Sequence, residues 1–184
     1  MSKRIAVLLA DGFEDIEAVA IIDVLRRAEF DVKVAGVGGD VITSAQGLKV
    51  STDVLVGSLN ADSLDMIVLP GGFDGTEILV SNPETQKLLK EMDDQNKHIG
   101  AICAAPLALK SAGVLKDSYT CYPGVEEMVK HDGFRDDVAV VSDRNILTSR
   151  GPGTAICFAL EIVKMHGSID KYNQLKEGLL ATYC

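Results

Sequence analysis

Tryptophan is absent from this 184-residue sequence, and aromatic side chains make up only 5% of it, so any core must be built from aliphatic residues. Basic charge is also short: 18 Lys and Arg face 27 Asp and Glu, giving a formal net charge of −9. That balance excludes general nucleic-acid binding, which needs a basic stripe along the phosphate backbone. No apolar run approaches the ~20 residues of a membrane-spanning helix. The opening run Ile5 to Ala10 is too short for a signal-peptide core and is stopped by Asp11-Gly12. A cytoplasmic protein with no membrane partner is therefore expected. The four cysteines, Cys103, Cys121, Cys157 and Cys184, form no CxxC pair. This spacing predicts neither a metal site nor a cofactor, and in a reducing compartment it predicts four free thiols.

What the sequence does have is alternation. Short apolar runs at 4–10, 30–37, 65–69 and 98–102 read as buried strands. Between and after them, helices are predicted over 14–29, from Asn82-Pro83 to about residue 94, and over 105–112, 153–165 and 169–181. Residues 44–52 read as a polar hairpin region, and 137–141 with 145–148 as a strand pair turning at 142–144. Apolar strands separated by helices imply a mostly parallel sheet covered on both faces. With no linker, repeat or low-complexity tract, a single domain spanning residues 1–184 is expected. In such open sheets the ligand site lies beyond the carboxyl ends of the strands. Three loops converge there, around 11–17, 70–75 and 102–106.

Within Gly100-Ala101-Ile102-Cys103-Ala104-Ala105-Pro106, a cysteine stands between strand and helix among small neighbours. This is the layout of a nucleophile elbow, and the start of a helix favours a thiolate. A small buried hydrophobe is the competing reading. Cys121, Cys157 and Cys184 read as incidental, the last as an exposed terminus.

Glu17, Ile21, Val24, Leu25 and Ala28 fall on one helical face. Four of the five are apolar, so Glu17 heads a stripe directed at the interior, where a carboxyl is driven towards its protonated form. The alternative is a solvated residue at the rim. Leu69-Pro70-Gly71-Gly72 ends a core strand with glycines that let backbone N–H groups approach a reacting centre. Gly72 and Ala104 N–H are the candidate oxyanion hole. Arg150, in Ser149-Arg150-Gly151-Pro152-Gly153-Thr154, is the candidate anion contact.

Taken together and in order, these segments resemble the ThiJ/PfpI superfamily in its DJ-type branch. They are Ala10-Asp11-Gly12-Phe13-Glu14-Asp15-Ile16-Glu17, Leu69-Pro70-Gly71-Gly72, Ala101-Ile102-Cys103-Ala104-Ala105-Pro106, and Leu147-Thr148 running on through the Arg150 loop. The resemblance implies a flavodoxin-like, class I glutamine amidotransferase-like α/β fold, a three-layer sandwich, and a homodimer. It implies that Cys103 is an oxidisable nucleophile, Glu17 a protonated acid against its sulfur, and Gly72 the oxyanion-hole glycine.

Three departures stand out. Protease-like relatives place His after the nucleophile, where this chain has Ala104, and some DJ-type members carry His-Pro where it has Tyr122-Pro123. The histidines present, His98, His131 and His166, have no evident route to Cys103, so proteolysis is not expected. Gln46 stands in place of the family's polar Arg. The function expected from the resemblance is cofactor-independent, glyoxalase- or deglycase-type handling of small dicarbonyls or glycated adducts. Cys103 would add to the aldehyde, Glu17 would move the proton, and Tyr122 is the second candidate. The alternative is an oxidative-stress sensor or redox-regulated chaperone in which Cys103 becomes a sulfinate with little catalysis.

Overall fold

The structure, a computed structural model, describes residues 2–184. Strand β1 (Arg4–Ala10) leads into helix α1 (Asp15–Arg27), β2 (Asp31–Val37), a hairpin of β3 (Val41–Thr43) and β4 (Lys49–Ser51), and the short β5 (Val54–Leu55). There follow β6 (Met66–Leu69), α2 (Phe73–Ser81), α3 (Pro83–Asp94), β7 (His98–Ile102), α4 (Pro106–Ala112) and the single turn α5 (Glu126–Val129). The chain closes with β8 (Val140–Asp143), β9 (Ile146–Ser149), α6 (Ala155–His166) and α7 (Ile169–Gly178).

Seven strands form one sheet in the order β5-β2-β1-β6-β7-β9-β8. All neighbours are parallel except the β8–β9 pair at one edge. The two-residue period of a strand divides the core. Ile5, Val7 and Leu9 of β1 pack with Ile21, Leu25 and α6 on one face, while Ala6, Leu8 and Ala10 pack with Leu79, Leu88, Leu89 and α4 on the other. The result is the expected three-layer, flavodoxin-like α/β sandwich.

Several boundaries move for identifiable reasons. Helix α1 begins at Asp15, because Glu14 is its cap and accepts the Glu17 N–H, and it ends before Glu29, which lies at φ 64°. The β8–β9 turn falls at Arg144, at φ 56°, displacing both strands from the predicted ranges. Cys121 follows an isolated bridge at Tyr119 and lies outside any named strand. The expectation of four free thiols is wrong: Cys157 and Cys184 are disulfide-bonded, and only Cys103 and Cys121 are free. Twenty-seven residues separate that pair in sequence, and the return of the chain along α7, which brings its end back to α6, is a tertiary event that spacing does not reveal.

Candidate functional site

Helix α1, β6 and β7 each deliver one part of the site at the carboxyl edge of the sheet. Cys103 is the first residue beyond β7 and is 6% exposed. It sits at φ 65°, in the left-handed region that residues bearing a Cβ seldom occupy. Two hydrogen bonds hold it there: its N–H donates to Ser149 O at 3.0 Å, and Tyr122 N–H donates to its carbonyl at 2.9 Å. The sharp turn that small neighbours foretold is thus present, and it turns the side chain out of the strand path. Strain of this kind costs about 1–3 kcal/mol and persists only where the surroundings enforce it.

Beneath the sulfur, the turn after β6 makes the closest approach in the site. Gly71 N–H donates to Glu17 Oε2 at 2.7 Å, and Gly71 O accepts from Glu14 N–H at 2.9 Å. A Cβ on Gly71 would stand 2.5 Å from Cys103 Cβ and 2.9 Å from Glu17 Oε2. Gly72, at φ 92°, has room for no side chain either: a Cβ there would meet Gly12 O at 2.2 Å. At Cys103 the Gly72 and Ala104 N–H groups favour the ionised sulfur.

Glu17 is fully buried, which settles the choice between interior and rim. Its Oε1 has no hydrogen-bond partner, and its carboxyl lies against the Cys103 thiol. Burial raises the carboxyl to about 7, the Glu14 charge adds to this, and the Gly71 N–H and the Cys103 thiol oppose it. Burial likewise pushes the Cys103 thiol up to about 12, reinforced by the Glu17 charge and opposed by the Gly72 and Ala104 N–H groups. The thiolate favoured by a helix start is therefore not what the structure shows. Helix α4 is short, opens on Pro106, which has no N–H, and is outweighed by removal of the sulfur from water. Because the two acids touch, their ionisations belong to the pair. One proton leaves near neutrality, and the other is held well above it.

The structure brings Cys103, Glu17, Gly72 and Ala104 together. Tyr122 is joined to Cys103 through its backbone, and its half-exposed ring covers Gly151, 3.1 Å from where a Cβ would stand. Arg150 directs its guanidinium to Asp136 O, and its charge falls on Cys121. Gln46 contributes a backbone N–H to Asp15 Oδ2 at 3.2 Å. His98 and His166 pack against each other edge to face at 4.7 Å, while His131 bonds Lys116 O at 2.8 Å. No histidine is among the groups that shift Cys103 or Glu17. Among the described residues, no three His, Cys, Asp or Glu side chains are grouped to hold a metal ion.

Sequence reasoning passed over Gly71, which the Pro70-Gly71-Gly72 run offered as readily as Gly72, and the carbonyl of Ser149, which no sequence signal marks. Glu14 also belongs to the site: its carboxylate accepts the N–H of Glu17 at 2.7 Å, and its charge helps to hold the Glu17 carboxyl protonated.

The profile of the DJ-1/PfpI family matches residues 3–165. Protein dj-1beta of Drosophila melanogaster is 38% identical over 186 residues, covering 100% of both chains. The glutathione-independent glyoxalase DJR-1.2 of Caenorhabditis elegans is 34% identical, over 96% of this chain and 95% of its own. The crystal structure of Drosophila melanogaster DJ-1beta superposes with a TM-score of 0.94 at 37% identity, over 98% of each chain. With its cysteine turn, buried carboxyl and glycine-lined approach in a shared fold, this chain belongs to the DJ-1/PfpI family.

Proposed function

We propose that the protein converts small dicarbonyls such as methylglyoxal, or the adducts they form, without glutathione or a bound cofactor. The observation that carries this reading is the contact between a buried carboxyl that titrates near neutrality and a cysteine sulfur facing two backbone N–H groups. Cys103 sulfur adds to the aldehyde carbon, forming the C–S bond, and the carbonyl oxygen gains negative charge between Gly72 and Ala104 N–H. The thiol proton, passed through Glu17, moves to that oxygen and completes the hemithioacetal. Glu17 then takes the proton from the former aldehyde carbon and returns it to the neighbouring carbon, while the hydroxyl proton passes to the neighbouring oxygen, leaving the thioester of the 2-hydroxy acid. Water cleaves the thioester, releasing the hydroxy acid and restoring the thiol. Curated relatives named as glutathione-independent glyoxalases support this reading.

A sensor reading is favoured by one feature. The unpartnered Glu17 Oε1, Gly72 N–H and Ala104 N–H together surround the sulfur with groups able to hold the oxygens of a sulfinate. Two peroxide molecules would oxidise the thiol to the sulfinic acid in two steps, releasing two waters. A cytoplasmic homodimer belongs to the same proposal. Ile16 and Val19 on α1, with Val41 and Leu48 on the hairpin, form an apolar surface between 47% and 60% exposed beside the site loops, which supports a second copy there.

Steady-state conversion of methylglyoxal to lactate, without glutathione, tests the enzyme reading. The wild type is expected to form lactate, and Cys103→Ser, at equal measured fold stability, is expected to fall to the uncatalysed background. Equal rates for the two proteins would overturn it.

A further inference from the structure

Cys157 lies in the first turn of α6 and is bonded to Cys184, with Cα atoms 5.1 Å apart. The bond closes a segment that is otherwise weakly held. Helix α7 buries none of its own residues fully. Its partly buried Tyr172 and Leu175, with Leu179 at its C-cap, pack against the core cluster to which α6 belongs, and beyond these only Ala181 is completely covered. An ion pair ties the helix to the residue that follows the α1 cap, Lys171 Nζ to Glu29 at 3.3 Å, with the Glu29 side chain 81% exposed, and such pairs add little. Both cysteines of the disulfide are partly accessible.

We propose that the Cys157–Cys184 bond is a reversible redox staple, opened by dithiol-type reductants, that switches residues 168–184 between a docked and a locally open state. A reductant thiolate attacks one sulfur, the S–S bond breaks, and a mixed disulfide forms. A second reductant thiol resolves it. Two thiols appear on the protein, and one disulfide on the reductant, for a transfer of two electrons and two protons. Closing is the reverse, with a disulfide such as oxidised glutathione as electron acceptor. The centre is separate from Cys103, whose environment is set by Glu17, Gly72 and Ala104. It also differs in kind, because thiols reverse a disulfide but not a sulfinate.

The staple removes loop-closure entropy from the open state, so cutting it raises the open fraction by on the order of 100-fold. Hydrogen exchange of the intact chain, followed peptide by peptide, reads this directly. Protection across 168–184 should fall by that factor when dithiothreitol is added, and return when oxidised glutathione replaces it. Cys184→Ser should show the open-state exchange without reductant and no further response to it. Trypsin cleavage after Lys171 and Lys176 should rise in parallel, with protection in β1, β6 and β7 unchanged. Cys157→Ser, with its melting temperature measured, serves as the second variant. Unchanged exchange in 168–184 on reduction would overturn the proposal. So would the absence of a Cys157–Cys184 peptide after oxidation with oxidised glutathione.

Discussion

Gly71→Ala is expected to lower Cys103-dependent turnover of methylglyoxal by about 100-fold or more, whereas Gly153→Ala leaves it near wild type. The added methyl at residue 71 has no space: it would lie 2.5 Å from Cys103 Cβ and 2.9 Å from Glu17 Oε2. Either the cysteine turn or the loop after β6 must shift, and a displacement of the order of 1 Å at a reacting group costs about 10²-fold. The Gly71 N–H that holds Glu17 would move with it. Forcing an extra carbon into a packed region also destabilises by about 1–3 kcal/mol. Gly153 is a matched control, because a Cβ there meets nothing within 4 Å. Rates measured with both variants at temperatures where each is fully folded distinguish misplacement from unfolding. Near-normal turnover in Gly71→Ala would show that the spacing of sulfur, carboxyl and loop is not what the chemistry depends on.

Glu17→Gln carries the second large effect, and it separates chemistry from stability. The amide keeps the shape of the carboxyl but cannot pass a proton, so methylglyoxal turnover should drop about 10²- to 10⁴-fold. Stability should move the other way as pH rises. In the folded protein Glu17 titrates near 7, against an ordinary value of 4.5, because it is buried. Between those values the folded state binds a proton that the unfolded state has released, so stability is lost as pH rises through that window. The loss reaches about 3 kcal/mol above pH 7, since each pH unit between the two values is worth about 1.4 kcal/mol. Glu17→Gln has no such group, so urea unfolding at pH 5 and pH 8 should show the wild type losing stability relative to the variant. His166, pushed down to about 4 by burial, has the opposite slope at lower pH, but it is common to both proteins and cancels in the comparison. A variant with the same pH dependence as the wild type would mean that Glu17 is already ionised in the fold.

The features legible in the sequence were those with a local physical cause. The short apolar runs of β1, β6 and β7 read as strands buried on both sides, which gave the layers and the edge where the site lies. The stripe from Glu17 to Ala28 turned one carboxyl towards the interior, because four apolar neighbours share its face, and left burial or a solvated rim as the two outcomes. Small residues around Cys103 foretold its turn. Features that arise from assembly were hidden. The ionisation of Cys103 depends on total burial and on a carboxyl 86 positions away in sequence (103 − 17), and these reverse the local expectation drawn from a helix start. Arg150 is local to its loop, yet its guanidinium reaches Asp136 O, on the segment leading into β8. The Cys157–Cys184 pairing depends on how α7 returns along α6, which neither cysteine's neighbours encode.

The central claim is that Cys103 and Glu17 behave as one proton-sharing pair. It is tested most directly by the pH dependence of Cys103 alkylation with iodoacetamide, followed by peptide mapping, in the wild type and in Glu17→Gln. In the wild type the buried carboxyl opposes ionisation of the thiol beside it. Removing that charge, and supplying an amide N–H in its place, should move the rise in alkylation rate to lower pH, even as turnover falls. Superimposable profiles for the two proteins would contradict the account, since Glu17 would then have no hold on the sulfur it touches.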